Sequence, residues 1–184
     1  MGVPRKPAPA MLFAGCLYSK KDCLLKGKDI LIKEFGPLCL ESGEFDWASD
    51  YYAEELGAPV KRKFLFFDRL IGPGEIADIK LKTNKMEKML SDKGKRTINI
   101  DPGYLTLHNV MLASTKNYAH RMYLKKRIYG EVTLVYSSKE NLYKPHLFTY
   151  RDFAEKQTVG LFLKARQILK RKLPALEYLE KGLE

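Results

Sequence analysis

Short apolar runs of strand length alternate with amphipathic segments along this chain, in the order strand, helix, strand, strand, helix, strand. That order is typical of the ferredoxin-like α+β fold, in which an antiparallel four-stranded sheet carries two helices on one face. Apolar residues make up 45% of the 184 residues and charged residues 30%, a balance typical of folded globular chains. The sequence therefore predicts a ferredoxin-like βαββαβ sandwich with an added C-terminal β-hairpin and a long C-terminal helix.

The first half of the predicted sandwich follows a Pro-rich, basic tail at residues 1–10, which we expect to be flexible. The first helix is bounded by a capping-box-like pattern at Ser19 and Asp22, and Gly36-Pro37 ends it. The predicted elements are a strand from Met11 to Ser19, a helix to Phe35, a strand over residues 38–47, a loop or single helical turn over residues 48–62, and a strand from Lys63 to Ile71.

The best-defined predicted helix runs from Glu75 to Leu90, because apolar side chains recur at intervals of about 3.6 residues. A fourth strand follows over residues 96–104, in which Ile98 and Ile100 alternate with Asn99 and Asp101. The stripe of the helix consists of Ile76, Ile79, Thr83, Met86 and Leu90.

A hairpin is predicted next, with strands over residues 120–124 and 128–136 joined by Lys-Lys-Arg. Its register pairs residue 124 with 128, 122 with 130 and 121 with 131, so that Arg121 faces Glu131. Residues 107–115 favour a short helix before it. The apolar face of the hairpin, expected in the core, comprises Met122, Leu124, Ile128, Val132 and Leu134.

The last predicted element is a helix from Tyr150 to Leu173, with Thr149 as its N-cap. We expect one domain over residues 11–184, made of the sandwich (11–107), the hairpin extension (108–148) and the helix with its tail (149–184).

Positive charge is concentrated in the second half of the chain. The formal net charge is +11, and residues 93–172 alone hold 17 Lys and Arg against 5 Asp and Glu, a difference of +12. A dense cationic region attracts phosphates, nucleic acids or membrane surfaces, although a Lys-rich soluble surface of a thermophilic protein explains the same charge. No run of eighteen apolar residues exists, so no membrane span is predicted.

The three cysteines have no CxxC spacing and indicate reduced thiols in a cytoplasmic protein. Phe13-Ala14-Gly15-Cys16 also resembles a lipoprotein cleavage site, but cleavage there would remove the first strand. None of the three histidines has a metal-ligand spacing, so no metal site is predicted.

The candidate ligand site lies between residues 99 and 131, where polar side chains follow the fourth predicted strand. Asp101-Pro102-Gly103 has a simpler interpretation as a tight turn, and Ser114-Thr115 as a helix end. The alternative is an anion site, in which Asp101 orients the ligand and Lys116 and Arg121 neutralise its charge. Catalysis through His120 is a further alternative. The candidate ligand-binding residues are Asn99, Asp101, Tyr104, Ser114, Thr115, Lys116, Asn117, His120, Arg121 and Glu131.

Two classes of function follow from these residues. The first is binding of a phosphorylated small molecule or nucleotide-like anion. The alternative is a non-enzymatic RNA-binding module, because tyrosines are interleaved with basic residues, although the RNP1 pattern is absent. A third alternative is a protein-interaction module, indicated by the acidic, Tyr-rich loop over residues 46–55.

Several motifs also resemble those of an uncharacterised prokaryotic family, a domain of unknown function. The motifs are FAGCLYS, YYAEELG, KRKFLFFDRLI, NIDPGYLTL, LASTKNYAHRMYL and IYGEVTL, and they span nearly the whole chain. The resemblance implies a small cytosolic bacterial or archaeal protein and assigns no catalytic residue. Some members carry nucleotide-binding labels, but this sequence has neither a GxxxxGK[ST] nor a GxGxxG loop.

Overall fold

The computed structural model describes residues 2–47 and 52–181, with side chains up to residue 173. It is a mixed α/β protein built on one large antiparallel sheet. The strands are β1 (Ala10–Tyr18), β2 (Leu38–Glu41), β3 (Phe45–Asp46), β4 (Lys61–Ile71), β5 (Ile98–Leu105), β6 (Asn109–Ser114), β7 (Met122–Lys125), β8 (Ile128–Ser137) and β9 (Leu142–Lys144). The α-helices are α1 (Lys21–Phe35), α2 (Ala53–Leu56), α3 (Ile76–Met89), α4 (Arg151–Ala154) and α5 (Lys156–Lys181), and a 3-10 turn at Pro73–Glu75 precedes α3.

The nine strands form a sheet with the order β2-β4-β1-β5-β6-β8-β7, while β3 pairs with β4 and β9 with β8. Every pair is antiparallel. The central strand β1 lies between β4 and β5 and is buried along its whole length. A strand buried on both faces needs a continuous apolar run, which residues 10–18 supply.

Each face of the sheet has its own apolar core. On the first face, the stripes of α1 and α3 pack against alternate residues of β1 and β5, such as Ile98 and Ile100. On the second face, α5 packs Phe162 and Leu169 against Phe13, Phe64 and other residues. A smaller cluster of Leu17, Leu56 and Val60 closes one end. Burial of aliphatic and aromatic side chains on both faces is the main stabilising contribution to this fold.

Most predicted helices and strands are confirmed, and the stripe of α3 is buried as expected except that Leu90 is half-buried. The predicted strand over residues 38–47 is two short strands, β2 and β3. The predicted helical turn before β4 is α2, and residues 48–51 of that segment lie outside the described residues.

The short helix predicted over residues 107–115 is wrong, because residues 109–114 form β6 between β5 and β8. Side chains of β6 point alternately into the two apolar cores, and a helix at this position would not bury both. The tight turn at residues 101–103 is also wrong, since these residues continue β5 opposite β1.

The hairpin register is confirmed at Met122 opposite Gly130, but the connecting loop is shorter than predicted. Lys125 pairs with Ile128, and Lys126 and Arg127 adopt positive φ angles of 52° and 63° in a two-residue turn. The core position predicted for Met122 and Leu124 is wrong, because β7 is the terminal strand of the sheet and both side chains are exposed.

The C-terminal helix begins later than predicted, and Thr149 does not cap it. Helix α4 ends at Ala154 and α5 begins at Lys156 after a break at Glu155. The Thr149 hydroxyl instead donates to the carbonyl of Thr133 and accepts from the amide of His146. No helix among the described residues is both long and apolar enough to cross a bilayer.

Candidate functional site

Strand β5 separates from its neighbour β6 at its N-terminal half, and polar side chains fill the resulting opening. Pairing between β5 and β6 begins only at Gly103. Upstream of it, the Ile100 amide donates to Glu87 of α3 at 2.6 Å, and its carbonyl accepts from Lys80 at 3.0 Å. Both side chains are buried, and they supply the hydrogen bonds that a neighbouring strand would otherwise provide.

The Asp-Pro-Gly sequence explains why the two strands separate at this point. Amide groups two residues apart along a strand point in the same direction. The amide of Ile100 points to Glu87, away from β1, so an amide at position 102 would point to the same side. Pro102 has no N–H and offers no donor there. Gly103 lies where the Met111 carbonyl and the Phe13 ring approach so closely that a Cβ would overlap both. Pro102 therefore ends the pairing, and Gly103 permits the close approach where pairing resumes.

Asp101 lies in the opening and is surrounded by donors. Its Oδ2 accepts from Asn99 Nδ2 at 2.7 Å, its Oδ1 lies 3.4 Å from Lys80 Nζ, and Arg62 Nη1 is 3.9 Å from Oδ2. The carboxylate remains partly exposed to solvent. Asp101 is thus the accessible end of an otherwise buried charge cluster.

Arg96 connects this cluster to the end of the sheet. Its Nε and Nη2 each lie 2.6 Å from an oxygen of Glu55, and its Nη1 donates to Asn99 at 2.8 Å and to Glu87 at 3.2 Å. Burial raises the pKa of the Glu87 carboxyl, against the lowering effect of nearby Lys80.

Arg62 is the most unusual residue of the cluster, because it is buried without filling its hydrogen bonds. The residue is 4% exposed, and Nε and Nη1 have no hydrogen-bond partner among the described residues. Its guanidinium lies over the Trp47 ring at 4.9 Å, with the rings of Phe64 and Phe153 within 6 Å. Gly15 provides the space, since a Cβ there would be 2.6 Å from Nη1.

Asp152 of α4 is the closest anionic neighbour of Arg62. The Arg62 Nη2 to Asp152 Oδ2 distance is 2.9 Å, yet the angles do not make a hydrogen bond, and both carboxylate oxygens lack a donor among the described residues. Burial raises the pKa of the Asp152 carboxyl despite Arg62. A buried ion pair of this kind is costly to desolvate and only partly compensated.

A second polar cluster is built around Arg121, and its hydrogen bonds are well satisfied. The guanidinium donates to Glu131 at 2.8 Å, to Ser114 at 2.8 Å, to the Lys116 carbonyl at 3.1 Å and to the Tyr150 hydroxyl at 2.6 Å. Its guanidinium carbon also lies 4.7 Å from the centre of the Tyr118 ring. Arg121 therefore links β6, β8 and the segment before α4.

His120 joins this cluster through Glu131, with Nε2 and Oε2 2.6 Å apart. Its ring stacks on Phe148 with a centroid distance of 4.6 Å and an angle of 7° between the planes. The position of the imidazole is therefore fixed by one carboxylate and one aromatic ring.

Residues 146–153, the covering segment, bring the two clusters together on the second face of the sheet. Tyr150 accepts from Arg121, and two residues later Asp152 lies against Arg62. Burial and the nearby carboxylates of Glu131 and Asp101 raise the pKa of Tyr150, against the lowering effect of Arg121. His146 and Thr149 attach the segment to the Val132 and Thr133 carbonyls of β8.

The structure therefore brings together six of the ten residues predicted for the site. Tyr104 lies on the first face of the sheet, opposite Asp101, because it is an odd number of positions away in the same strand. Thr115, Lys116 and Asn117 are exposed in the loop after β6. The six that lie in the two clusters are Asn99, Asp101, Ser114, His120, Arg121 and Glu131.

The charged residues that other elements bring to the site were not predicted from the sequence. Arg62 and Asp152 are 90 positions apart, and no local pattern joins them. Arg62 carries no local signal either, because it lies between Lys61 and Lys63 at the start of β4. Lys80 and Glu87 were detectable as charges beside the apolar stripe of α3.

Two grooves occur in the described part of the chain, and one of them borders the Arg96 side of the charge cluster. The larger, about 750 Å³, runs between α1, α2 and the α3–β5 loop, and Arg96 forms part of its wall. The smaller, about 270 Å³, is apolar and lies on the first face next to Tyr104. Among the residues whose side chains the structure describes, no group of three or more His, Cys, Asp or Glu is placed to hold a metal ion.

Fold and site together define a mixed α/β protein with a buried, incompletely compensated charge cluster around strand β5 of an antiparallel sheet. The family model described as "Domain of unknown function (DUF4416)" matches residues 8–169. The chain belongs to this family. It has no match among curated proteins or solved structures.

Proposed function

We propose that this protein binds a phosphorylated or nucleotide-like anionic ligand at the opening between β5 and β6. The observation that carries the proposal is Arg62, a nearly inaccessible guanidinium with two nitrogen atoms that lack an acceptor among the described residues. Buried donors without partners are rare in folded proteins and costly, so their presence suggests a missing acceptor. Phosphate and carboxylate oxygens are the acceptors that a guanidinium prefers.

The route to Arg62 starts at Asp101, the exposed member of the cluster. A ligand entering there meets Lys80 and Arg62, the two cations that flank the Asp101 carboxylate. Asp152 occupies the position nearest to Arg62 without hydrogen-bond geometry. The anionic group of the ligand would displace Asp152 and take its place on the guanidinium.

Aromatic rings supply the second half of the recognition. Trp47 lies on the guanidinium of Arg62, and Tyr52 packs against Trp47 with a centroid distance of 6.1 Å. Burial and the nearby Asp101 carboxylate raise the pKa of Tyr52 to about 12, so its hydroxyl remains a donor at neutral pH. A ring system beside the anion, as in a nucleotide, would find apolar and aromatic surface here.

We also infer that the scaffold of this site is ferredoxin-like. Support comes from the strand order β2-β4-β1-β5, from the antiparallel pairing of each neighbour, and from helices α1 and α3 on one face. A cytoplasmic location agrees with three free cysteines, of which Cys16 is buried.

A thermal-shift screen of nucleotides and phosphorylated metabolites tests the proposal. A ligand at one hundred times its Kd adds about 2.7 kcal/mol to the unfolding free energy, which corresponds to roughly 5–10 °C for a chain of this size. We expect Arg62→Lys to abolish the shift, because a lysine keeps the charge but loses the planar donors.

Arg166→Lys is the matched control, since Arg166 also lies over an aromatic ring, Tyr136, at 3.6 Å. It should preserve the shift. A screen without any stabilising ligand, or a shift that survives Arg62→Lys, would contradict the proposed function. Lys116→Ala tests whether the exposed loop after β6 contributes to the same site.

A further inference from the structure

Two groups of aromatic rings lie on the second sheet face, at and next to the Arg121 cluster. His120 and Phe148 form a parallel stack, and Tyr118 lies 6.1 Å from His120. Tyr123 and Tyr129 pair on adjacent strands at 5.6 Å. We name these five residues the ring surface: Tyr118, His120, Tyr123, Tyr129 and Phe148.

Three of the five rings of the ring surface are open to solvent, and His120 and Tyr129 are half-buried. Tyr118 is 51%, Tyr123 61% and Phe148 50% exposed. Large rings are usually buried, and a group of exposed rings marks an interaction surface. Their orientation is also fixed, because Glu131 holds His120 and Arg121 lies under Tyr118.

The charge around these rings is one-sided. Residues 102–130 contain no Asp or Glu and five Lys or Arg residues. One of the five, Arg121, is buried in its own cluster, and Asp78 of α3 pairs with both Lys125 and Lys126. Net positive charge therefore remains at the turn between Tyr123 and Tyr129, through Arg127 and the two lysines, although Lys125 and Lys126 reach Asp78 of α3 on the first face.

We propose that the ring surface binds single-stranded nucleic acid, with bases stacked on Phe148 and Tyr118 and phosphates beside the turn at residues 125–127. Exposed rings bordered by cations are the common means of binding single strands without sequence preference. The His120–Phe148 stack favours bases over an acidic peptide, because a base can extend a stack of parallel rings and a carboxylate side chain cannot. This surface is separate from the Arg62 site and does not depend on the function proposed there.

Fluorescence anisotropy with labelled RNA and DNA single strands of about 12 nucleotides, within the usual range of site sizes, tests the proposal on the full chain. We expect Phe148→Leu and Tyr118→Leu each to weaken binding by roughly fivefold to 100-fold, the loss typical of one stacked base. Leu147→Ala is the matched control, since Leu147 is the exposed neighbour of Phe148 and carries no ring. It should leave the affinity unchanged, as should Arg62→Lys.

Salt and charge variants separate stacking from attraction alone. Lys126→Glu with Arg127→Glu should weaken binding and make it less sensitive to salt. The slope of log affinity against log salt concentration should become shallower by about 0.7 for each phosphate that the variant no longer neutralises. Comparison of the RNA and DNA strands decides which nucleic acid is preferred.

Three results would overturn the proposal. One is an affinity that Phe148→Leu does not change. Another is a loss of binding only in Lys170→Glu with Arg171→Glu, which would place the site on α5, where both residues are exposed. The third is tighter binding of polyglutamate than of either nucleic acid, which would favour an acidic protein partner.

Discussion

The guanidinium of Arg62 and the carboxylate of Asp152 lie 2.9 Å apart without forming a hydrogen bond. Arg121, a few strands away, shows the opposite arrangement, with four acceptors around its nitrogen atoms. Both arginines are buried on the same sheet face. Arg121 stabilises the fold through its hydrogen bonds, whereas two nitrogen atoms of Arg62 lack an acceptor among the described residues.

The first prediction concerns the stability cost of the Arg62–Asp152 pair. Arg62→Met alone should lower the unfolding free energy by about 3–5 kcal/mol, because it leaves a buried carboxylate without its cation. The double variant Arg62→Met with Asp152→Asn should recover most of that loss, since neither group then carries a charge. Urea unfolding at pH 7 measures both. If the effects of the two substitutions on the unfolding free energy are simply additive, Arg62 and Asp152 do not interact energetically.

The second prediction concerns Glu87 and pH. Burial raises its folded-state pKa above the unfolded value of about 4.3. Its contribution to stability is therefore complete below that unfolded pKa and decreases as pH rises through the folded pKa. Glu87→Gln, which stays neutral, should gain in stability relative to the wild type as pH rises from 4 to 7. Urea unfolding at several pH values measures this. A difference in unfolding free energy between Glu87→Gln and the wild type that stays constant from pH 4 to 7 would disprove the prediction.

Glu87→Ala is the companion variant and should behave differently. It removes the acceptor of the buried Ile100 amide, which costs about 1–3 kcal/mol at any pH. Glutamine can still accept that hydrogen bond through its carbonyl oxygen. A difference between the two variants thus separates the hydrogen bond from the charge.

The third prediction compares two glycines on the adjacent strands β1 and β5. A Cβ at Gly103 would overlap the Met111 carbonyl, which belongs to the backbone and cannot move aside. We expect Gly103→Ala to destabilise the protein by about 3 kcal/mol or more. A Cβ at Gly15 would meet the movable end of Arg62 and should cost less, while abolishing the ligand-induced thermal shift. Equal thermal stability of the two variants would contradict this.

The fourth prediction concerns the thiols. Cys16 lies in the buried strand β1, and burial raises its pKa to about 12. Cys23 and Cys39 are partly exposed. A disulfide reagent at pH 8 should therefore modify at most two thiols in the native protein and all three after unfolding. Rapid modification of Cys16 in native conditions would show that β1 opens locally.

Most predicted strands and helices were correct because their signals are local, although they belong to one nine-stranded sheet and not to a four-stranded sandwich with a separate hairpin. Strand β1 is a continuous apolar run, α3 has an apolar stripe at helical spacing, and the hairpin places Arg121 opposite Glu131 by alternation alone. Each of these depends on residues that are close together in the sequence. Such a pattern shows which face of a helix or strand is buried, and it can be recognised within that single helix or strand.

The interpretation of Asp101-Pro102-Gly103 failed for a reason that local sequence does not contain. Proline and glycine end strands in a turn, and they also occur where a strand loses one neighbour. In a turn the strand loses both neighbours, whereas here residues 101–103 of β5 stay paired with β1 on their other side. Met122 and Leu124 were misplaced for a similar reason. The alternation of apolar and polar residues predicts which side chains share a face, but it does not reveal that β7 is the terminal strand of the sheet.

By itself, the sequence determined most of the strands and helices, the cationic second half and the grouping of Ser114, His120, Arg121 and Glu131, because these depend on spacing along one stretch of chain. Only the tertiary structure decided that Arg62, Lys80, Glu87 and Asp152 join Asp101, and that Tyr104 does not. Those residues come from four separate elements, and their electrostatic cost and hydrogen bonding depend on distances between elements and on burial. Burial of a charge is a property of the assembled sheet and its covering helices.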